Sequence, residues 1–432
     1  MSVLLRAPLF HTPRNPFTGN GALQYVSDGA LLIADGRIRA AGEYQQLAKA
    51  NPAATQRDMT AGFLLPGFID THVHFPQLRV IGSLGLPLLD WLDQYALPEE
   101  ALMAMTPYAA STANDFARAL ASHGTTTALA FGAHFHDATA AMFDAAATRG
   151  LRLIGGMVLS DRMLRDDLHQ SPERAYRDSK ALIDTYHHES NLAYAVTPRF
   201  ALSASEAILE VCQTLLQEYP DLHFQTHLNE NDREIAEVQR LFPWASDYLN
   251  VYEKFDLVKR HSVFAHNVHP SPRELSCLAR NQAGVAHCPC SNAALGSGLF
   301  EMRQHVEANV HFGLGTDVGA GTGFGILKEG LQAYLLQRLS TTGYPLNASH
   351  LLYLATRAGA EALGLDEEIG DFAAGKSADY VWIKPPQASV FERVAESAES
   401  PDRLLSAIFT LAGAESICEV AVRGKIVWEL PQ

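Results

Sequence analysis

Between about residues 66 and 371, short apolar segments alternate with helical stretches, and each apolar segment turns polar only near its C-terminal end. Eight such segments follow one another: GFIDTHVH, GTTTALAFGAHF, LRLIGGMVLS, LAYAVTPRF, LHFQTHL, SVFAHNV, GVAHCPC and VHFGLGTDV. Amphipathic stretches such as AILEVCQTLLQEY and REIAEVQRLF separate most of them. Strand–helix alternation predicts a parallel sheet with helical crossovers. Eight units predict that the sheet closes into a (β/α)8 TIM-type barrel, a fold of the α/β class. In such barrels the C-terminal mouth of the strands carries the chemistry, and His, Asp, Arg and Asn collect at those ends here.

The flanks have a different grammar. ALLIADGRIRAAGEY is two apolar runs around Asp35-Gly36, which predicts a hairpin. SADYVWIK and ICEVAVRGKIVWEL repeat the pattern near the other end, around Arg423-Gly424. The expected organisation is a small β-sandwich domain built from both termini, residues 1–65 plus 372–432, around a barrel at 66–371. Two unrelated edge decorations are the alternative.

Composition removes several function classes. The chain has 48 acidic against 33 basic residues, a formal net charge of -15, and no Lys/Arg-rich run. Nucleic-acid binding needs clustered cations to displace counterions, so it is not expected. No apolar stretch reaches the ~20 residues that span a bilayer. MSVLLRAPLFHTPRNP is broken by Arg6, Pro8 and Pro13 and is not expected to act as a secretory signal. Five cysteines without framework spacing fit a reducing, cytoplasmic compartment.

The titratable groups at the strand ends suggest a metal site. His72 and His74 lie two apart on the first strand, and a period of two turns both imidazoles to one face. His227 ends the fifth strand, with Glu230 three residues on, which suits a metal ligand beside a proton shuttle. His266 ends the sixth strand and Asp317 the eighth. Any one of these is more often structural than catalytic; at matching strand ends they predict a metal-dependent hydrolase. His134 and His136 follow the second strand and are expected to line a pocket or a solvated loop. The fourth strand has no lysine that could be carbamylated to bridge two ions, so a single ion is expected. The CPC at 288–290 lacks the spacing of cysteine-bound deaminase zinc, and its cysteines read as small residues of a buried strand.

With PGFIDTHVH, HLNE, AHNV and GTDVG in this order, the chain resembles the amidohydrolase superfamily over nearly its whole length. Within it, HFPQL at 74–78, LPLLDWLDQY at 86–95, TPRFALS at 197–203 and AHCPCSN at 286–292 are similar to the guanine deaminase branch. The resemblance implies that His72, His74, His227 and Asp317 hold one Zn2+ per chain, with Fe2+ or another divalent ion also compatible. It implies catalytic roles for Glu230, His266 and Asp317, and a substrate position lined by His74, Gln77, Arg199, Phe200, His227 and Asp317. A homodimer is implied as well. One departure is Cys290, where related sequences often carry Asn after the proline.

The implied reaction is hydrolytic deamination of guanine to xanthine and ammonia by a metal-activated water. The nearest alternative is an aminohydrolase of the same architecture acting on another amino-purine, a pterin or a triazine. A catalytically inactive barrel scaffold is more remote, because all four ligands and Glu230 are present. At Arg199 the competing expectation is simple pairing with a neighbouring carboxylate at the barrel mouth.

Overall fold

All eight apolar segments form parallel strands: β1 Phe68–His74, β2 Thr125–Phe131, β3 Arg152–Gly156, β4 Leu192–Pro198, β5 His223–Leu228, β6 Ser262–His266, β7 Gly284–His287 and β8 His311–Leu314. They pair in chain order in a nine-stranded sheet, with the short strand Val158–Leu159 beside β4 as the ninth. The computed structural model describes residues 2–431.

The seam between β8 and β1 is closed mainly by residues beyond the regular ladder. Thr71 Oγ1 donates to the Leu314 carbonyl at 2.9 Å. Asp317 N donates to His72 O at 2.8 Å, and His74 N to Val318 O at 2.9 Å. Buried Asp70 adds a clamp by accepting from both Thr316 N and Thr316 Oγ1. These bonds bring the segment after β8, and Asp317 with it, against the metal-facing strand.

A register shift in β1 sets which face its histidines occupy. Strict alternation would put Ile69 and Val73 on the same side. The pairing with β2 shifts between Asp70 and Val73, so Ile69 packs in the barrel interior while Val73 joins the core outside it. His72 and His74 thereby point inward together. At the opposite end, the helix Arg357–Leu363 lies so close that a Cβ on Gly313 would fall 2.7 Å from Gly359 Cα.

The two ends of the chain share a six-stranded sheet. Phe63–Pro66 runs antiparallel to Tyr380–Ile383, which continues into Ile417–Val422 and Lys425–Glu429. A second sheet of four strands contains Ser2–Arg6, Gly29–Ala34, Arg37–Glu43 and Thr55–Asp58. Leu5, Leu31 and Ile33 of one sheet share a core with Leu64, Tyr380 and Ala421 of the other. Both anticipated hairpins form, and their turns sit in the left-handed region at Asp35 and Gly36 (φ 56 and 72°) and at Arg423 and Gly424 (φ 52 and 70°). The helices Val390–Glu396 and Pro401–Leu411 interrupt the C-terminal strands, and Phe409 packs on Gly330 of the barrel helix Ile326–Leu339.

One expectation is corrected. Cys288 lies just past β7, and Cys290 is in the helix Pro289–Ala294, so neither is a strand residue. Pro289 has no N–H for a ladder and is well suited to the first helical turn. Both thiols are buried.

Candidate active site

His72, His74, His227 and Asp317 converge at the C-terminal mouth, with their ligand atoms all within 4.8 Å of one another. His72 Nε2 and His74 Nε2 lie 3.1 and 3.3 Å from Asp317 Oδ1. His74 Nε2 is 3.2 Å from both His72 Nε2 and His227 Nε2. Four donors placed ~2.0–2.1 Å from one ion in a tetrahedron stand roughly 3.3 Å apart, so the spacing fits a divalent cation. His227 Nδ1 sits 2.6 Å from the Arg199 carbonyl. A carbonyl only accepts, so Nδ1 carries the proton and the Nε2 lone pair faces the cage.

The electrostatics agree with this donor set. Burial and the neighbouring imidazoles hold His227 well below its ordinary pKa. Burial takes His74 down to about 4, and it also lowers His72. The rings are therefore neutral near pH 7, as a ligand must be. Burial works against the charge on Asp317, but His72 and His74 outweigh it and hold the carboxyl well below the usual range. Ser291 Oγ fixes the other oxygen by donating to Oδ2 at 2.6 Å.

Glu230 and His266 face this cage from the ends of β5 and β6. His266 Nε2 is 3.4 Å from Glu230 Oε2 and 3.9 Å from Asp317 Oδ2. His266 has a left-handed backbone (φ 72°), and Asn292 Oδ1 lies 3.0 Å from its Nδ1. Burial, reinforced by the charge of Asp317, pushes Glu230 well above the ordinary carboxyl range, and Ser297 Oγ donates to its Oε1 at 3.4 Å. The arrangement can hold a water between a cation cage, a carboxyl able to carry a proton and an imidazole.

A cavity of about 310 Å³, open mouth included, adjoins the cage. His74, Gln77, Arg199, Phe200, His227 and Asp317 all line it, as does Glu230. Arg199 and Phe200 are neighbours in sequence yet both face the space, because β4 ends at Pro198. Tyr252 fixes that departure: its hydroxyl accepts from Ala201 N and donates to His227 O.

Arg199 does pair with a carboxylate, that of Glu100, a residue the sequence reading did not single out. Trp91, Leu88, Leu92 and Leu295 were also missed as lining residues. The signal was available, since Leu88, Trp91 and Leu92 lie within LPLLDWLDQY, and Ser291 and Asn292 within AHCPCSN. His134 is buried beside Glu100, 3.3 Å from Oε2 but not aligned for a hydrogen bond. His136 starts the next helix and pairs with Asp137. A second cluster of His187, His188 and Asp221 lies away from the mouth. Its His187 Nδ1 accepts the Tyr194 amide at 3.1 Å, which leaves the ring proton on Nε2 facing Asp221. In that cluster His188 is hydrogen-bonded to Asp221, and the group lies outside the candidate active site.

The amidohydrolase family profile matches residues 63–427. A probable guanine deaminase of Deinococcus radiodurans is 54% identical over 98% of both chains. The solved guanine deaminase of E. coli is 36% identical, covers 100% of both chains and superposes with a TM-score of 0.94. The guanine deaminase of C. acetobutylicum, solved with guanine bound in its active site, is 26% identical over 99% of this chain and 100% of its own, with a TM-score of 0.91. The chain belongs to the amidohydrolase family, in its guanine deaminase branch.

Proposed function

We propose that this protein hydrolyses guanine to xanthine and ammonia, with one Zn2+ or similar divalent ion per chain held by His72, His74, His227 and Asp317. The observation that carries the reading is the cavity wall: a guanidinium, a carboxamide and an aromatic ring face the cation cage across a space that Glu230 also enters. Guanine presents a carbonyl at C6, which Arg199 can bind by charge-assisted hydrogen bonds. Gln77 offers a donor and an acceptor for the mixed polar edge, and Phe200 an apolar face.

Held by His72, His74, His227 and Asp317, a divalent ion would lower the pKa of a water to about 7 and so make hydroxide available near neutral pH. Asp317 and His266 orient the attacking oxygen toward C2 of the base. Attack makes C2 tetrahedral. Glu230 moves the water's proton to N3 and then helps protonate the departing amine, so that ammonia leaves and the C2 carbonyl forms. The resemblance further supports a homodimer, and five free cysteines are consistent with a reducing compartment. No helix among the described residues is long and apolar enough to cross a membrane.

The direct test is ammonia release from a panel of guanine, adenine, a pterin and an amino-triazine. Rapid turnover of guanine and little of the others is expected. Faster turnover of the pterin or triazine would move the assignment to a different aminohydrolase. For the metal, elemental analysis of purified protein should approach one equivalent per chain, and His227→Ala should fall below about a tenth of that. Two tightly held ions per chain would overturn the one-metal reading.

A further inference from the structure

Glu100 lies in the helix Leu97–Ala101, within the connection between β1 and β2, and is 1% exposed. Its carboxylate receives three hydrogen bonds from two residues proposed above to read the purine. Oε1 accepts from Gln77 Nε2 at 2.7 Å and from Arg199 Nη1 at 2.8 Å, while Oε2 accepts from the same Nη1 at 2.7 Å.

Two details separate this from a generic buried ion pair. Both oxygens of Glu100 converge on one guanidinium nitrogen. Among the described residues, the Nη2 and Nε edge of Arg199 has no protein partner, and the residue lines the cavity. An arginine paired side-on would have spent that edge, which is the one able to fork onto a carbonyl. The Gln77 carboxamide is likewise fixed at both ends. Gly319 N donates to its Oε1 at 3.1 Å, so its NH2 must face Glu100, and the amide orientation is settled by the network. Each of its polar atoms keeps one further donor or acceptor site.

We propose that Glu100 is the positioning residue of the purine-reading pair: it holds Arg199 end-on and Gln77 in a single orientation, so that their unspent edges meet the base. The inference rests on the guanine reading above. Glu100 does not line the cavity, so its action passes through the two residues it binds. The backbone extends the same unit to the cage, because the carbonyl of Arg199 fixes ligand His227 and the amide that fixes Gln77 is two residues from Asp317. Replacing Glu100 by Gln keeps the shape but leaves one acceptor oxygen and adds an NH2 group, so the converging N–H donors cannot all be satisfied.

The test is a double-mutant cycle on the metal-loaded enzyme, with Glu100→Gln, Arg199→Met and the double variant, reading kcat/KM for guanine, metal content and melting temperature. Glu100→Gln alone should lose roughly 10- to 100-fold with metal retained. In the Arg199→Met background the same change should cost at least about threefold less than it does alone, because only the hold on Gln77 is left to lose. Equal losses in both backgrounds would make Glu100 an ordinary structural residue and overturn the inference, as would a single variant within about threefold of the parent. Should Glu100→Gln not accumulate as folded protein, Glu100→Asp takes its place with the same expectations, since a shorter side chain cannot reach both partners. If the parent enzyme does not deaminate guanine, the functional reading fails instead, so the two failures are distinct.

Discussion

Glu230→Gln should lower turnover of guanine by roughly 10²–10⁴-fold while leaving metal content near that of the parent, the range expected for loss of a general acid–base group. Gln keeps the shape and the hydrogen bond from Ser297, but it cannot carry a proton. Metal retention follows because Glu230 is not among the four converging ligands. Stability should not fall in the metal-free protein. Burial holds the Glu230 carboxyl protonated well above its ordinary 4.5, whereas in the unfolded chain it ionises above that value. This group therefore makes folding less favourable as pH rises through and beyond 4.5, and Gln removes that penalty. The experiment pairs steady-state rates with elemental analysis. Near-normal turnover at full metal occupancy would pass the shuttle role to His266, whose Nε2 is 3.4 Å away.

What was legible in the sequence is what local pattern encodes. The eight strands could be read because each is a short apolar run between helical periods. The cation cage could be read because its ligands sit at or just beyond strand ends, where barrel geometry places function. Glu100 was not legible, because its role depends on a long connection folding back over the mouth, and its neighbours LPEEA look like any helical segment. Ser297 was hidden for the same reason: its partner Glu230 is 67 residues away. The inward turn of His72 and His74 also had a cause that alternation alone does not reveal, the register shift after Asp70. The two readings of Arg199, purine reader or partner of a carboxylate, proved compatible, since pairing through Nη1 leaves the rest of the fork for the cavity.

That geometry shapes the expectation for Arg199→Ala. Removing the guanidinium should cost guanine efficiency roughly 10²–10³-fold, because charge-assisted hydrogen bonds to C6 are lost and a buried polar edge of the base is left unmet. The parent enzyme should release little ammonia from adenine, which offers an amine donor at C6 where arginine has no acceptor. The substitution also strips Glu100 of its principal charge partner. Breaking one side of a buried pair costs on the order of 3–5 kcal/mol, so a lower melting temperature should accompany the kinetic loss. Combining Arg199→Ala with Glu100→Gln removes the stranded charge. Melting temperature should then recover while guanine efficiency stays low, which separates recognition from stability. If Arg199→Ala left kcat/KM for guanine within about threefold of the parent, Arg199 would be a structural partner of Glu100, and reading of the C6 carbonyl would have to be reassigned to Gln77.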